Sequence, residues 1–298
     1  MNAKPLQDAN PSPEPGDGVT VITLTRGDTR LLARCSASVR DQDFDGEIEH
    51  LVIGDDVLPD PASFAGWYRA GSAGPKRRIR AHRAGRTPAD RVGGGSRAAD
   101  IYPRLGRMWN WGVRAASGRW ICFLDDDNEF DERHVSSLVA HARARRAEAV
   151  HSSRLIFNFD GSPYLDEVFP WCQDEEEGRR IFAELRSRGV WPAGGNVLHD
   201  RADPIRPDSE VRNSTIMAAE DPLVMVDMSA WLLSRDLLLR IPVTETITHR
   251  DVVLNNAPDG LLLEALLRDG VPVHSTGLPT LRYYLGGISN QGQAADAG

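Results

Sequence analysis

Two periods of apolar residues alternate along the first half of this chain. Val19-Thr20-Val21-Ile22-Thr23-Leu24 is a short β-branched run of strand character, and Asp28 follows where a helix N-cap belongs, ahead of Leu31, Cys35 and Val39 at helical spacing. A second strand over residues 48–53 ends in Asp55-Asp56. The basic run Lys76-Arg77-Arg78-Ile79-Arg80-Ala81-His82-Arg83 predicts a short strand, and Val92-Gly93-Gly94-Gly95-Ser96 a mobile loop. A helix with Ile101, Leu105, Met108, Gly112, Val113 and Ala116 on one side then delivers the chain to Trp120-Ile121-Cys122-Phe123-Leu124, a strand that runs straight into Asp125-Asp126-Asp127-Asn128. Asp131 is expected to cap the next helix, which carries Val135, Leu138, Val139 and Ala142. Strands separated by helices in this rhythm predict an α/β fold with a mostly parallel sheet and crossover helices.

The pattern loosens after His151. Phe157, Phe159, Tyr164, Phe169, Trp171 and Trp191 accumulate, with a helix predicted near 176–188, a strand over 223–231 leading to Ser234 as an N-cap, and Asp259 preceding a helix over 261–268 closed by Gly270. No internal repeat is present. Residues 1–17, rich in Pro, Asp and Asn, are expected to be a disordered leader, and 290–298 a flexible tail.

Composition narrows the class. A formal net charge of -8 over 298 residues disfavours nonspecific nucleic-acid binding, which needs a basic face. Cys35, Cys122 and Cys172 are too few and too scattered for a disulfide framework or a zinc cluster, and they fit a reduced, cytoplasmic protein. No apolar stretch is long enough for a transmembrane helix, and the amino terminus has no apolar signal-peptide core.

The acidic strand end carries the most chemistry. Aspartates packed this tightly repel one another and resist burial, so a hard divalent cation, Mn2+ or Mg2+, is the expected partner of Asp125 and Asp127. Ligands of parallel sheets bind beyond the carboxyl ends of the strands, where residues 23–26, Asp55-Asp56 and Asp125 to Asp127 all fall.

The arrangement resembles the family 2 glycosyltransferases, nucleotide-sugar-dependent enzymes of the GT-A type. The likeness rests on residues 19–42, on His50-Leu51-Val52-Ile53-Gly54-Asp55-Asp56, and above all on the spaced run from Asn110 and Gly112 through Gly118 to the DXD motif Asp125-Asp126-Asp127. In the later half it rests only on Val226-Asp227-Met228-Ser229-Ala230-Trp231 and on 259–266. The resemblance implies one GT-A (Rossmann-like) domain over 18–289, with a nucleotide-sugar half at 18–150 and an acceptor half at 151–289. It implies that Asp56 accepts a hydrogen bond from the nucleotide base, in a pocket with Thr23, Leu24 and Thr25, favouring a uridine or thymidine diphosphate sugar. Asp125 and Asp127 would hold the metal, Asp126 would face the ribose or sugar, and Arg107 or a residue of the 76–86 run would add positive charge at the diphosphate.

The family's catalytic base stands in a Glu-Asp pair opening a helix; here Pro258-Asp259-Gly260 keeps only Asp259. Asp259 fits both a catalytic base and a helix cap, with Asp221, in Glu220-Asp221, and Asp227 as further candidates for the base. The family's carboxyl-terminal metal-binding His has no counterpart between Leu281 and Asn290, and His274 is the nearest candidate. The implied reaction is an inverting transfer of a sugar to an acceptor hydroxyl. The acceptor stays open between a glycan, a lipid-linked compound and a small molecule such as a specialised metabolite, with Trp171, Trp191 and Trp231 available for stacking, and a homodimer is allowed. The rival readings are a sugar-nucleotide-binding protein that has lost turnover and a phosphatase of the haloacid dehalogenase type.

Overall fold

The computed structural model describes residues 18–58, 60, 66, 76–86, 97–172, 174–219 and 221–286. The expected leader, the loop at 92–96, Glu220 and the carboxyl-terminal tail lie outside the described residues. In chain order the first elements are β1 (Val19–Thr25), α1 (Thr29–Arg40), β2 (Ile48–Asp55), β3 (Arg77–Ala84), α2 (Arg97–Ala115), β4 (Trp120–Phe123), β5 (Glu129–Phe130), α3 (His134–Arg145) and β6 (Ala149–Phe157). The later half adds α4 (Glu175–Ser187), β7 (Val197–Leu198), β8 (Ser209–Arg212), β9 (Thr215–Ala218), β10 (Asp221–Val224), β11 (Trp231–Ser234), α5 (Arg235–Arg240), α6 (His249–Val253), α7 (Pro258–Arg268) and β12 (Val273–Tyr284).

Every residue of β1 is buried, as expected of a strand covered on both faces by crossover helices. On one side α1 buries Leu32, Cys35, Ser36 and Val39, and its first turn is capped by Asp28, which accepts from the backbone N–H groups of Arg30 and Leu31. On the other side α2 comes so close that a Cβ at Gly112 would lie 2.9 Å from Ile53 Cδ1 and 3.0 Å from Ile22 Cγ2. A glycine there sets the depth of the helix over the sheet.

The main sheet runs in the order β3-β2-β1-β4-β11-β6-β12-β5, with β7 paired to β6. β1 pairs parallel with β2 and β4, β2 with β3, and β6 with β12, but β11 is antiparallel to both β4 and β6, and β5 is antiparallel to β12. The α/β class stands, while the mostly parallel Rossmann-like sheet gives way to a mixed one. The reason lies in the segment expected to be one strand over 223–231. It is broken: β10 joins a separate antiparallel sheet, β10-β9-β8, and Asp227 then caps a 3-10 turn, Met228–Ala230, from which β11 enters the main sheet in the reverse direction. Ser234 caps α5 as expected, accepting from the Leu237 N–H.

Two expected caps are corrected. Helix α3 starts at His134 with Arg133 at the N-cap, and Asp131 Oδ1 reaches only the Arg133 N–H at 3.3 Å. The α3 donor that needs a partner, the Val135 N–H, goes instead to Gln42 Oε1 at 2.9 Å. Helix α7 starts at Pro258, so Asp259 lies inside its first turn and the N-cap is Ala257. A large buried cluster spans the main sheet, and a second, with Phe169, Ile181, Phe182, Leu185 and Trp191, forms under α4. Among the described residues no helix is long and apolar enough to cross a membrane.

Candidate functional site

A cavity of about 1190 Å3 opens at the carboxyl ends of the strands. Thr25 of β1, Asp55 of β2, Asp125 to Asp127 after β4, Tyr283 and Tyr284 of β12, Asp227, Asp259 and the β8–β9 turn residues Asn213 and Ser214 all line it. Of the residues singled out from sequence, Leu24, Thr25, Asp125, Asp126, Asp127 and Asp259 face it, as does Asp227.

Thr23, Asp56 and Arg107 are not among the lining residues. Thr23 is fully buried, its hydroxyl 2.9 Å from His50 Nε2. Asp56 has left the strand with a φ of 65°, and its half-exposed carboxylate lies 3.5 Å from Arg83. Its neighbour Asp55 is the last residue of β2 and faces the cavity, bound by Arg104 at 2.6 Å and Arg86 at 3.2 Å. Side chains alternate along a strand, so an error of one residue in where β2 ends exchanges the inward aspartate for the outward one. Within the basic run, Arg86 alone lines the cavity; Arg78 and Arg80 pair with the buried Glu49.

The three aspartates after β4 meet different neighbours. Asp125 sits beside Ser229, whose hydroxyl accepts from the Asp125 N–H at 3.2 Å. Burial raises its carboxyl well above the ordinary value, and Asp127, Asp227, Asp126 and Asp259 add repulsion. Asp126 is raised by burial, against the opposing pull of the Thr25 hydroxyl and the Arg26 N–H. Burial, then Asp126, pushes Asp127 up to about 7. Asp127 is also the residue whose carbonyl accepts from Arg34 Nη2 at 2.7 Å. Asn128 closes the turn, its Oδ1 accepting from the Tyr284 N–H at 3.0 Å and so tying β12 to the acidic segment.

In the same cavity, Asp259 is pushed up to about 7 by burial and then by Asp227, with the Gly260 N–H and Arg154 acting in the opposite sense. Its Oδ1 is buried without a hydrogen-bond partner, and the N-cap position belongs to Ala257, so Asp259 is not the N-cap of α7. Asp227 is already engaged, accepting from Ser229 N–H at 2.8 Å and from Arg154 Nη1 at 3.1 Å. Asp221 is not among the lining residues and pairs with Arg188 and Arg206. His274 is not among the lining residues either; its ring lies 6.2 Å from that of His141.

Two arginines escaped the sequence reading. Arg154 is buried and donates through Nε and Nη2 to Asp200 at 2.9 and 2.7 Å. Burial opposes its charge, yet Asp200 and Asp227 outweigh burial and hold its pKa above the usual value. Arg34 binds Glu129 at 2.9 Å and lies over the Tyr284 ring at 4.1 Å. Neither stands in a spaced motif, and an arginine on a strand or helix reads as surface until its partners are known. Of the tryptophans named, Trp191 and Trp231 are fully buried core, and Trp171 lines the cavity.

Among the described residues no group of three or more His, Cys, Asp or Glu is arranged to hold a metal ion. The carboxylates nonetheless leave an excess of negative charge in a buried place. Mg2+ and Mn2+ commonly take only one or two protein carboxylates and complete their shells with water and substrate phosphates, so Asp125 and Asp127 fit such a cation as a partial ligand set.

Residues 103–190, from α2 through the acidic turn to the end of the α4 region, match the sequence model described as Glycosyl transferase family 2. No curated protein matches the chain. Among solved structures it is similar to the mannosyltransferase PcManGT from Pyrobaculum calidifontis in complex with GDP-Man and Mn2+, at a TM-score of 0.54 and 14% identity over 96% of this chain and 62% of that one. It is also similar to S. aureus TarS 1-349, at a TM-score of 0.51 and 13% identity over 90% of this chain, which spans 60% of that one. Likeness at such identity shows a shared fold. The segment that holds Arg104, the aspartates 125–127, Arg154 and Trp171 is thus the part of the chain that is similar to glycosyl transferase family 2.

Proposed function

We propose that the protein is an inverting glycosyltransferase that moves a sugar from a uridine or thymidine diphosphate donor to an acceptor hydroxyl. The observation that carries this reading is one cavity lined both by the buried carboxylates at the end of β4 and by Asp259, buried and unpartnered at Oδ1. A divalent cation held by Asp125 and Asp127 would neutralise charge developing on the departing diphosphate. Asp126, beside Thr25 and Arg26, suits the ribose side, and Arg34 and Arg86 place positive charge on the same wall. Asp259 takes the proton from the acceptor hydroxyl as it attacks the far face of the anomeric carbon, a single displacement that inverts configuration. Its raised pKa keeps it a competent base near neutral pH.

Asp55, rather than Asp56, is the carboxylate presented to the base. Its Oδ1 is taken by Arg104 and its Oδ2 by a longer bond to Arg86, an arrangement that leaves room for one donor such as an imide N–H. The solved structures of this fold include complexes with UDP and with GDP-Man, so the fold itself does not choose the base. The acceptor is a glycan, a lipid-linked compound or a small molecule.

Calorimetry with UDP and dTDP, with Mn2+ and then with chelator, tests the donor site. Binding is expected to need the metal, and Asp127→Ala is expected to lose at least about tenfold in affinity together with its metal dependence. A folded Asp127→Ala protein with unchanged affinity and metal response would sink the assignment. Asp56→Asn, which tolerates the left-handed backbone, is expected to bind UDP within about 0.5 kcal/mol of the parent, as surface changes usually do. A loss of about 1–3 kcal/mol would restore Asp56 to the base pocket.

A further inference from the structure

Helix α7 presents Asp259 to the cavity, yet its own sequence does not hold its first turn in place. The N-cap residue is Ala257, which has no side chain able to cap, and Asp259 stands inside the first turn rather than at the cap. The N-cap residue is instead held from elsewhere in the chain: the Ala257 N–H donates to Ser214 Oγ at 2.9 Å. Ser214 and Asn213 form the two-residue connection between β8 and β9, and both adopt left-handed backbone, with φ of 53° and 49°. Two consecutive left-handed residues are what a tight hairpin requires, and the turn so made projects its tip into the cavity wall.

The tip is stapled to the segment that opens α7. The Asn213 N–H donates to the Leu254 carbonyl at 2.8 Å, Asn255 Nδ2 to Asn213 Oδ1 at 3.2 Å, and Asn256 Nδ2 to the Val211 carbonyl at 2.9 Å. One turn into the helix, a Cβ added at Gly260 would lie 2.9 Å from both Cα and the carbonyl oxygen of Ser214. Those are backbone atoms, so a side chain there must displace either the hairpin or the helix. Gly260 therefore lets the first turn of α7 rest directly on the hairpin, one residue from Asp259.

We infer that Ser214 is a positioning residue for Asp259, the β8–β9 hairpin capping α7 from outside and fixing where its carboxylate meets the acceptor hydroxyl. This rests on the glycosyltransfer reading of Asp259. A base displaced by about an ångström loses up to about a hundredfold in rate with little effect on ground-state binding of a substrate it does not hold. The hairpin is therefore a determinant of turnover and not of donor affinity.

The experiment compares Ser214→Gly, which keeps the left-handed turn and removes the hydroxyl, with Ser214→Asn, which restores an acceptor oxygen on a residue that tolerates that backbone. UDP affinity is measured by calorimetry with Mn2+, and kcat as UDP release from whichever of UDP-glucose, UDP-galactose and UDP-N-acetylglucosamine binds. Ser214→Gly is expected to lower kcat about tenfold with the UDP Kd within about twofold of the parent, and Ser214→Asn to recover most of the loss. Gly260→Ala is expected to show the same split, larger in kcat; if it does not fold, the Ser214 pair carries the test. Parental kcat in Ser214→Gly, or a loss of UDP affinity in proportion to kcat, overturns the inference alone. A parent protein that binds UDP but releases none from any of the three donors overturns the glycosyltransfer reading, and this inference with it.

Discussion

In Asp259→Asn, turnover is expected to fall by about 10^2-fold or more while UDP affinity stays within about twofold. Asparagine fills the same volume in the first turn of α7 but cannot take a proton. Asp259 lies inside the first turn rather than at the N-cap and is unpartnered at Oδ1, and asparagine keeps an acceptor oxygen for the Gly260 N–H. The pH dependence of stability gives an independent reading. Burial, then Asp227, raises the carboxyl to about 7 in the folded metal-free protein, so folding favours its protonated form. A carboxyl shifted upward in this way contributes stability that is complete below its unfolded value of about 4 and is lost as pH rises through about 7. Metal-free Asp259→Asn should therefore melt higher than the parent at about pH 8, with a flatter dependence on pH between about 5 and 8. Turnover close to the parent's would remove Asp259 from the chemistry and leave Asp227, the other base candidate that lines the cavity, to be tested in the same way.

How much of this was legible in the sequence depended on the range of the interaction that decides each feature. The strands that became β1, β2 and β4 and the cap at Asp28 were readable because β-branched runs and an N-cap aspartate act within a few residues. The acidic turn was readable because carboxylates at a strand end demand a countercharge wherever the strand goes. Asp56 falls outside the cavity lining because the terminus of β2 is fixed by its pairing with β3, through Asp55 and Ala84, and not by local pattern. Helix α3 borrows Gln42 and α7 borrows Ser214, so two aspartates that looked like caps were released from that task by residues distant in the chain. The reversed strand β11 was hidden for a related reason: a buried apolar strand reads the same in either direction, and only the Asp227 turn before it sets its sense.

Arg154→Met is expected to destabilise the protein by about 3–5 kcal/mol, the usual cost of removing one partner from a buried ion pair. The guanidinium is 4% exposed, and Asp200 and Asp227 are 0% and 9% exposed, so Asp200 cannot turn to bulk water when the arginine is lost and Asp227 keeps only its edge on the cavity. Methionine fills much of the volume under Trp171 and Tyr283, which confines the loss chiefly to charge. For a chain of this size the shift in melting temperature should be roughly 6–15 °C. Two controls separate charge from packing. Acid should restore part of the stability of Arg154→Met, because burial raises Asp200 to about 6 and protonating it relieves stranded charge. Adding Asp200→Asn should do so at neutral pH, by leaving one carboxylate where there were two. If Arg154→Met melts within about 2 °C of the parent, the triad is no stronger than a solvated surface pair.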